Sequence, residues 1–310
     1  MSDIQKVFIA SAGMLTSVGA DTVSTSAAIK ADKSKIEESA FYTKRNKAMK
    51  LSSVPDDALA DLNENIKASS NISALEKRLL RLAHPALEQV ISDLPPDNEP
   101  VPLFLALPES VPGYTFDIKN EFLDYLIIQT GTQLNKQNSR ILPRGRAAGI
   151  EAIEMVFRYF QATGKDYALI GGVDSCMDLM LLGHYDKDER VLAKDIMDGF
   201  VPGEAAGFLL LVSERVASSI AASQGKNALS AIYRPGLANE DGHRYSDQPY
   251  KGDGLSQAFQ AALSNASQQI TTTIFSSLNG ENFGVKEYGV ATTRNSKSFA
   301  EDVILKHPAD

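Results

Sequence analysis

A single cysteine, Cys176, is the whole thiol inventory of this 310-residue chain. One thiol excludes an intrachain disulfide and a cysteine-rich zinc site, so any thiol chemistry would rest on that residue alone. No apolar run approaches the roughly 18 to 20 residues that cross a bilayer. The start, Met1-Ser2-Asp3, has no basic leader region, and the apolar stretch from Val7 to Ala12 is short for a secretory core. The chain is therefore expected in the cytoplasm, away from membranes. No cluster of lysine and arginine is long enough to track a phosphate backbone, and acidic residues outnumber basic ones 39 to 31. Nucleic acid is not an expected partner. What is present is a 43% apolar composition, enough to bury a core in one large domain or in two packed halves.

Along the chain, Lys6 to Ala12 reads as a strand broken at Gly13, and Thr22 to Lys30 as a helix. Residues 31 to 72 show no sustained period and read as irregular. Ser73 and Glu76 form a capping-box pattern ahead of Leu79, Leu82, Leu87 and Val90, a helix that Pro85 should kink. Val101 to Leu107 is a continuous apolar run of the kind that makes a covered strand. Phe116 to Gly131 reads as a helix, Ser139 to Leu142 as a strand, and Ala147 to Ala162 as a helix with Ile150, Ile153, Val156, Phe157 and Phe160 inward. Tyr167 to Ile170 then runs into Gly171-Gly172. Repetition of strand, helix and strand predicts an α/β class with a parallel sheet. Gly207 to Val212, Ala228 to Tyr233 and Thr272 to Ser277 read as further strands, with a helix from Leu255 to Ala266.

The most specific stretch is Asp198-Gly199-Phe200-Val201-Pro202-Gly203-Glu204-Ala205-Ala206-Gly207, followed by the apolar run Phe208 to Val212 and Ser213-Glu214. Gly203 and Gly207 would let backbone turn tightly beside a neighbouring strand. This segment closely resembles the DGFVxGEGAG element of the β-ketoacyl-acyl carrier protein synthases, with Ala205 where that family usually has glycine. Three further segments match in the family's order: the opening Val7 to Gly19, with Ser17 in place of a proline; the helix and strand of Leu75 to Leu107; and Gly149 to Gly172. The resemblance implies a thiolase-like fold, two similar α/β halves in an α-β-α-β-α layering. Residues 1–206 would form the first half and 207–310 a second half incomplete at its C-terminus.

In active members of that family a cysteine nucleophile sits at a helix N-terminus, where amides and dipole stabilise the thiolate and the oxyanion. Aligning Gly149 and Gly171-Gly172 with the family's glycines puts Arg146 at the cysteine position. A guanidinium has no usable lone pair and stays protonated, so it cannot form an acyl-enzyme. A slip in the alignment changes nothing, because no Cys, Ser or Thr lies between Leu142 and Tyr159. The family's first catalytic histidine falls at Asn279, or alternatively at Leu278. Its second would follow Lys306, where few residues remain.

Other residues invite weaker readings. Cys176 lies beyond the Gly-Gly pair, where inert filling is the ordinary role. Asp174 and Asp178 would share a cation only if helical, and His243 with Asp241, Asp247 and Asp253 is a sparse set for a metal. No metal or cofactor is expected. His84 and His184 read as structural, and His307 has no assigned role. Arg144 and Arg146 flank Gly145 at what should be a buried helix start. They either fill the old pocket as an ion-pair network or bind the anion of a phosphopantetheine or acyl-CoA-like ligand. The resemblance thus implies a synthase relative without condensing activity, a scaffold or non-catalytic partner that forms a homodimer or a heterodimer with a ketosynthase-like subunit. Acyl carrier protein would be a further partner. The alternative is an acyltransferase with an atypical site, acting on acyl-carrier-protein or acyl-CoA thioesters.

Overall fold

The computed structural model describes residues 4–95, 99–114, 118, 121–194, 196–266 and 270–308. In chain order the elements begin with β1 (Lys6–Thr16), α1 (Thr22–Lys30), β2 (Glu37–Tyr42), β3 (Ala48–Leu51), α2 (Glu64–Ala68) and α3 (Ala74–Ile91). They continue with β4 (Leu103–Leu107), α4 (Phe122–Thr130), β5 (Arg140–Pro143), α5 (Ala148–Thr163), β6 (Tyr167–Ser175), α6 (Leu179–Lys187) and β7 (Glu204–Val212). The last are α7 (Glu214–Ser223), β8 (Ser230–Tyr233), α8 (Asp253–Asn265), β9 (Thr271–Phe275), α9 (Asn282–Arg294) and β10 (Phe299–Lys306). Residues 115–117 and 119–120 of the helix expected from Phe116 lie outside the described residues. The chain divides into two compact units, Met1–Glu37 with Leu51–His184 and Pro202–Ile232, and Glu38–Lys50 with Tyr185–Val201 and Tyr233–Asp310.

The first unit is built on a six-stranded sheet of order β5-β4-β6-β7-β1-β8. β4 runs parallel to β5 and β6, whereas β7 is antiparallel to both β6 and β1. The sheet is therefore mixed, not parallel as the pattern suggested. The excursion after β6 returns the chain at the same sheet end, pairing Ser175 with Glu204, so β7 must run back. The expected division at 206/207 falls inside this strand, whose partners on both sides precede it.

Alternation along β4 shows how both faces are covered. Leu103, Leu105 and Leu107 join the core made with α3 and α4, while Phe104 and Ala106 join the one made with α5. Of the α5 positions expected inward, Val156, Phe157 and Phe160 are buried, but Ile150 is 46% exposed. It lies to the side of the stripe that Ala148, Ala152 and Val156 bury in the core beneath α5.

α3 has the predicted capping box: Ser73 Oγ accepts from Glu76 N at 3.1 Å and Glu76 Oε2 accepts from Ser73 N at 2.8 Å. The helix runs through Pro85. Lacking an N–H, Pro85 leaves the Arg81 carbonyl without its intrahelical donor. Ala60 N–H takes that place at 3.3 Å, and Arg81 Nε donates to the Ala60 carbonyl at 2.9 Å.

β1 does not break at Gly13, contrary to expectation. A Cβ there would lie 2.0 Å from the Ala86 carbonyl oxygen, so the glycine marks where α3 crosses the strand rather than where the strand ends. Gly171 is similar: a Cβ would lie 2.1 Å from the Phe208 ring, and β6 runs on to Ser175.

The second unit contains a β9-α9-β10 crossover with parallel strands, and α8 packs on α9 through Phe259 and Tyr288, edge to face at 6.4 Å. β2 and β3 form a small sheet of their own, and α2 follows them, so 31–72 is less irregular than its composition implies. Among the described residues no helix is long and apolar enough to cross a membrane.

Candidate active-site loci

Ligands of α/β sheets gather at the carboxyl ends of parallel strands. At those ends of β4, β5 and β6 stand Glu109, the Arg144-Gly145-Arg146 turn and Asp174. Gly145 has φ +57°, and a Cβ on it would sit 3.1 Å from the Glu109 carboxyl carbon. The turn feeds α5, whose N-cap residue Ala147 offers no side-chain bond. Strand, turn and helix follow one another directly, but the turn is not buried as expected. Arg146 is exposed, and Arg144, 66% exposed, lies with its Nε 3.5 Å from Glu151 Oε2. Burial resumes at once with Ala148, the first residue of α5, which is fully enclosed in the core shared with Phe104 and Ala106. Asp174 is reached by water yet ringed by protein; that desolvation, with the Glu109 charge, pushes its carboxyl up to about 6.

The Asp198–Gly207 segment has a distinct task in each unit. In the second unit, Asp198 Oδ1 accepts from Asn282 N at 2.8 Å, satisfying an amide at the start of α9. That bond holds the Asp198 carboxyl below its ordinary value. In the first unit Glu204, side chain fully buried, accepts from Arg78 Nε and NH2 at 2.6 Å each. Ser175 Oγ and Val54 N complete its shell at 2.7 and 2.9 Å. A Cβ on Gly203 would press on the Ser52 carbonyl at 3.2 Å, whereas one on Gly207 would meet only the Gly13 oxygen at 4.0 Å. Close approach thus requires the first glycine and not the second.

Asn279 lies in the second unit, on the loop into α9. Its Nδ2 donates to Glu281 Oε2 at 2.9 Å, and its Oδ1 accepts from Glu281 N at 3.3 Å. Glu281 is 3% exposed and takes a bidentate contact from Arg190, at 2.8 and 3.1 Å, with Arg244 at 3.0 Å. Burial alone would raise this carboxyl; Arg190, Asn279 and Arg244 outweigh it and hold it low. Arg190 also lies over the Tyr185 and Phe200 rings and donates to Tyr245 OH at 2.7 Å. Asn279 is thereby spent on a buried ion network, and Leu278 carries no ionisable group. Nothing in the sequence pattern pointed to Glu281, Arg190 or Arg244, because their partnership joins segments far apart.

The remaining candidates separate. Asp178 accepts from Tyr114 OH at 3.1 Å and caps α6 through Leu181 N at 2.9 Å; Tyr114 is pushed up to about 12, by burial and then by Asp178. Asp174, on β6, does not share that role. His243 Nδ1 accepts from Tyr245 N at 3.3 Å, and among the described residues no three His, Cys, Asp or Glu side chains converge to hold a metal. Half-buried Cys176 donates its N–H to the Gly203 carbonyl at 2.9 Å. His84 Nδ1 meets Gln129 Nε2 at 3.0 Å. His184 lies under Gly113, its ring 3.2 Å from where a Cβ would be.

No protein-family model matches the sequence, and no curated protein does. Solved structures do match. A type II polyketide ketosynthase, solved with its acyl carrier protein, aligns over 95% of this chain and 78% of its own at 16% identity, with a TM-score of 0.68. A β-ketoacyl synthase from Burkholderia phymatum STM815 aligns over 94% and 78% at 18% identity, TM-score 0.63. The ishigamide ketosynthase/chain length factor aligns over 94% and 77% at 17% identity, TM-score 0.69. The chain has the α/β fold of these thiolase-like proteins.

Proposed function

We propose that this ketosynthase-fold chain performs no condensation and serves as a scaffold or as the non-catalytic partner of an active synthase subunit. One observation carries the reading. The turn between β5 and α5 carries Arg146, which the sequence resemblance aligns with the family's nucleophile, and no Cys, Ser or Thr occurs from Leu142 to Tyr159. Condensation needs a group there that accepts an acyl chain covalently, and a guanidinium cannot. The locking of Asn279 onto Glu281 supports the same reading at the family's histidine position.

The partner role draws on the surface of the first unit. β5 is a terminal strand of the sheet, so its outer backbone groups are open to another strand. Leu179 and Met180, adjacent at the start of α6, are large apolar side chains exposed at 66% and 73%. One structural neighbour was solved with an acyl carrier protein and another is a ketosynthase/chain length factor; a ketosynthase-like subunit and an acyl carrier protein are accordingly the partners we assign. A cytoplasmic location goes with that role. The second reading, acyl transfer from carrier-protein or CoA thioesters, is favoured by the Asp174 carboxyl at the end of β6, which desolvation and the Glu109 charge push up to about 6.

The test supplies malonyl- and acyl-loaded carrier protein to the purified chain, alone and mixed with an active ketosynthase subunit. No β-ketoacyl product from the chain alone, and a heavier species on size-exclusion chromatography, are expected. A β-ketoacyl product from the chain alone overturns the reading.

A further inference from the structure

The register of β9 and β10 sets Ile274 opposite Leu305 and Phe275 opposite Lys306. Continued one step, it sets Ser276 opposite His307, on the face shared with Ile274 and Leu305. The backbone keeps that register, because Ser276 N donates to the Lys306 carbonyl at 2.9 Å. Ser276 Oγ and His307 Nδ1 are 2.7 Å apart and both residues are half-buried. This is the spacing of a nucleophile and its base. Because the strands are parallel, the pair stands at their carboxyl ends, the side from which ligands approach an α/β sheet.

We infer that Ser276 and His307 form an acyl-accepting dyad that takes acyl groups from thioesters. Ser276 Oγ attacks the thioester carbonyl carbon while its proton passes to His307 Nδ1. The C–S bond breaks, the thiolate leaves and recovers that proton, and an ester remains on Ser276. Thioesters fit better than esters or amides for a reason internal to the site. Among the described residues no carboxylate bonds the imidazole, so the dyad suits a donor whose leaving group needs no help. A thiolate, with a parent pKa of about 8.5, is such a group. Leu305, 39% exposed on the same face, offers apolar surface to the acyl chain.

This inference stands apart from the condensation reading, which rests on Arg146 in the other unit. The test incubates the full chain with hexanoyl-CoA and follows intact mass, with fragmentation to tell Ser276 from Ser277. One hexanoyl group on Ser276 is expected, absent in Ser276→Ala, retained in Ser276→Cys, and formed about 100-fold or more slowly in His307→Gln. Circular dichroism checks that each variant is folded; should Ser276→Ala not fold, the other two decide. No adduct on the folded wild type, an adduct on another residue, or wild-type rates in His307→Gln would overturn the dyad. None of those results bears on whether the chain condenses.

Discussion

Replacing Arg78 by methionine isolates the energetics of the Glu204 site. Glu204 is fully enclosed, while the Arg78 side chain is 22% exposed, so the two partners do not suffer equally when the pair is broken. Arg78→Met leaves a carboxylate with no countercharge and only the Ser175 and Val54 donors. Removing one partner of a buried pair costs about 3–5 kcal/mol. Glu204→Gln leaves the cation instead, and that cation still reaches water and Asp56 at 3.4 Å; about 1–3 kcal/mol is expected. For a chain of this size, the larger loss corresponds to a fall of about 4–8 °C in melting temperature. Urea unfolding of both single variants and the double variant would measure the order of the effects. The double variant should be less damaged than the sum, because neither charge remains. A loss below about 1 kcal/mol for Arg78→Met, or a Glu204→Gln loss exceeding it, would refute the argument.

Gly171→Ala drives a methyl into the Phe208 ring, 2.1 Å from its nearest atom, and should cost about 1–3 kcal/mol in denaturant unfolding, with partial recovery when Phe208→Leu is added. Asp174 has a folded-state value raised to about 6, above the ordinary carboxylate range, so the folded state holds its proton to higher pH than the unfolded chain. Its contribution is therefore favourable at low pH and is lost as pH rises through about 6. Wild-type stability measured against Asp174→Asn should fall over that window, and parallel pH profiles for the two would count against the reading.

Signals confined to a few residues were legible in the sequence. The capping box at Ser73 and Glu76 needs only a three-residue spacing, and the α1 helix follows from local composition. Gly13 reads as a stop by local rules, whereas in the fold it answers to Ala86 on a distant helix. Ile150 fits the apolar period of α5 and still faces water between the buried Ala148 and Ala152, since periodicity groups residues by face but does not tell how wide the covered stripe is. At the candidate site, the lack of Cys, Ser and Thr from Leu142 to Tyr159 could be read directly. The Arg190 and Arg244 network around Glu281 could not, because charge pairs between remote segments leave no period or spacing. Strand direction was hidden for a similar reason: β7 has the same apolar pattern whichever way it runs.

The exchange between Ala60 and Arg81 has a consequence for how this region can drift in sequence. Position 60 is recognised through its main chain, its N–H on the helix carbonyl that Pro85 leaves open and its C=O on a guanidinium. Most side chains at 60 would preserve that recognition, and proline alone would erase the donor half of it. A fault in one helix has become a fastening for its neighbour. Substitutions at 60 and 85 are thereby tied, so that a proline gained at one position is best tolerated when the other has lost its own.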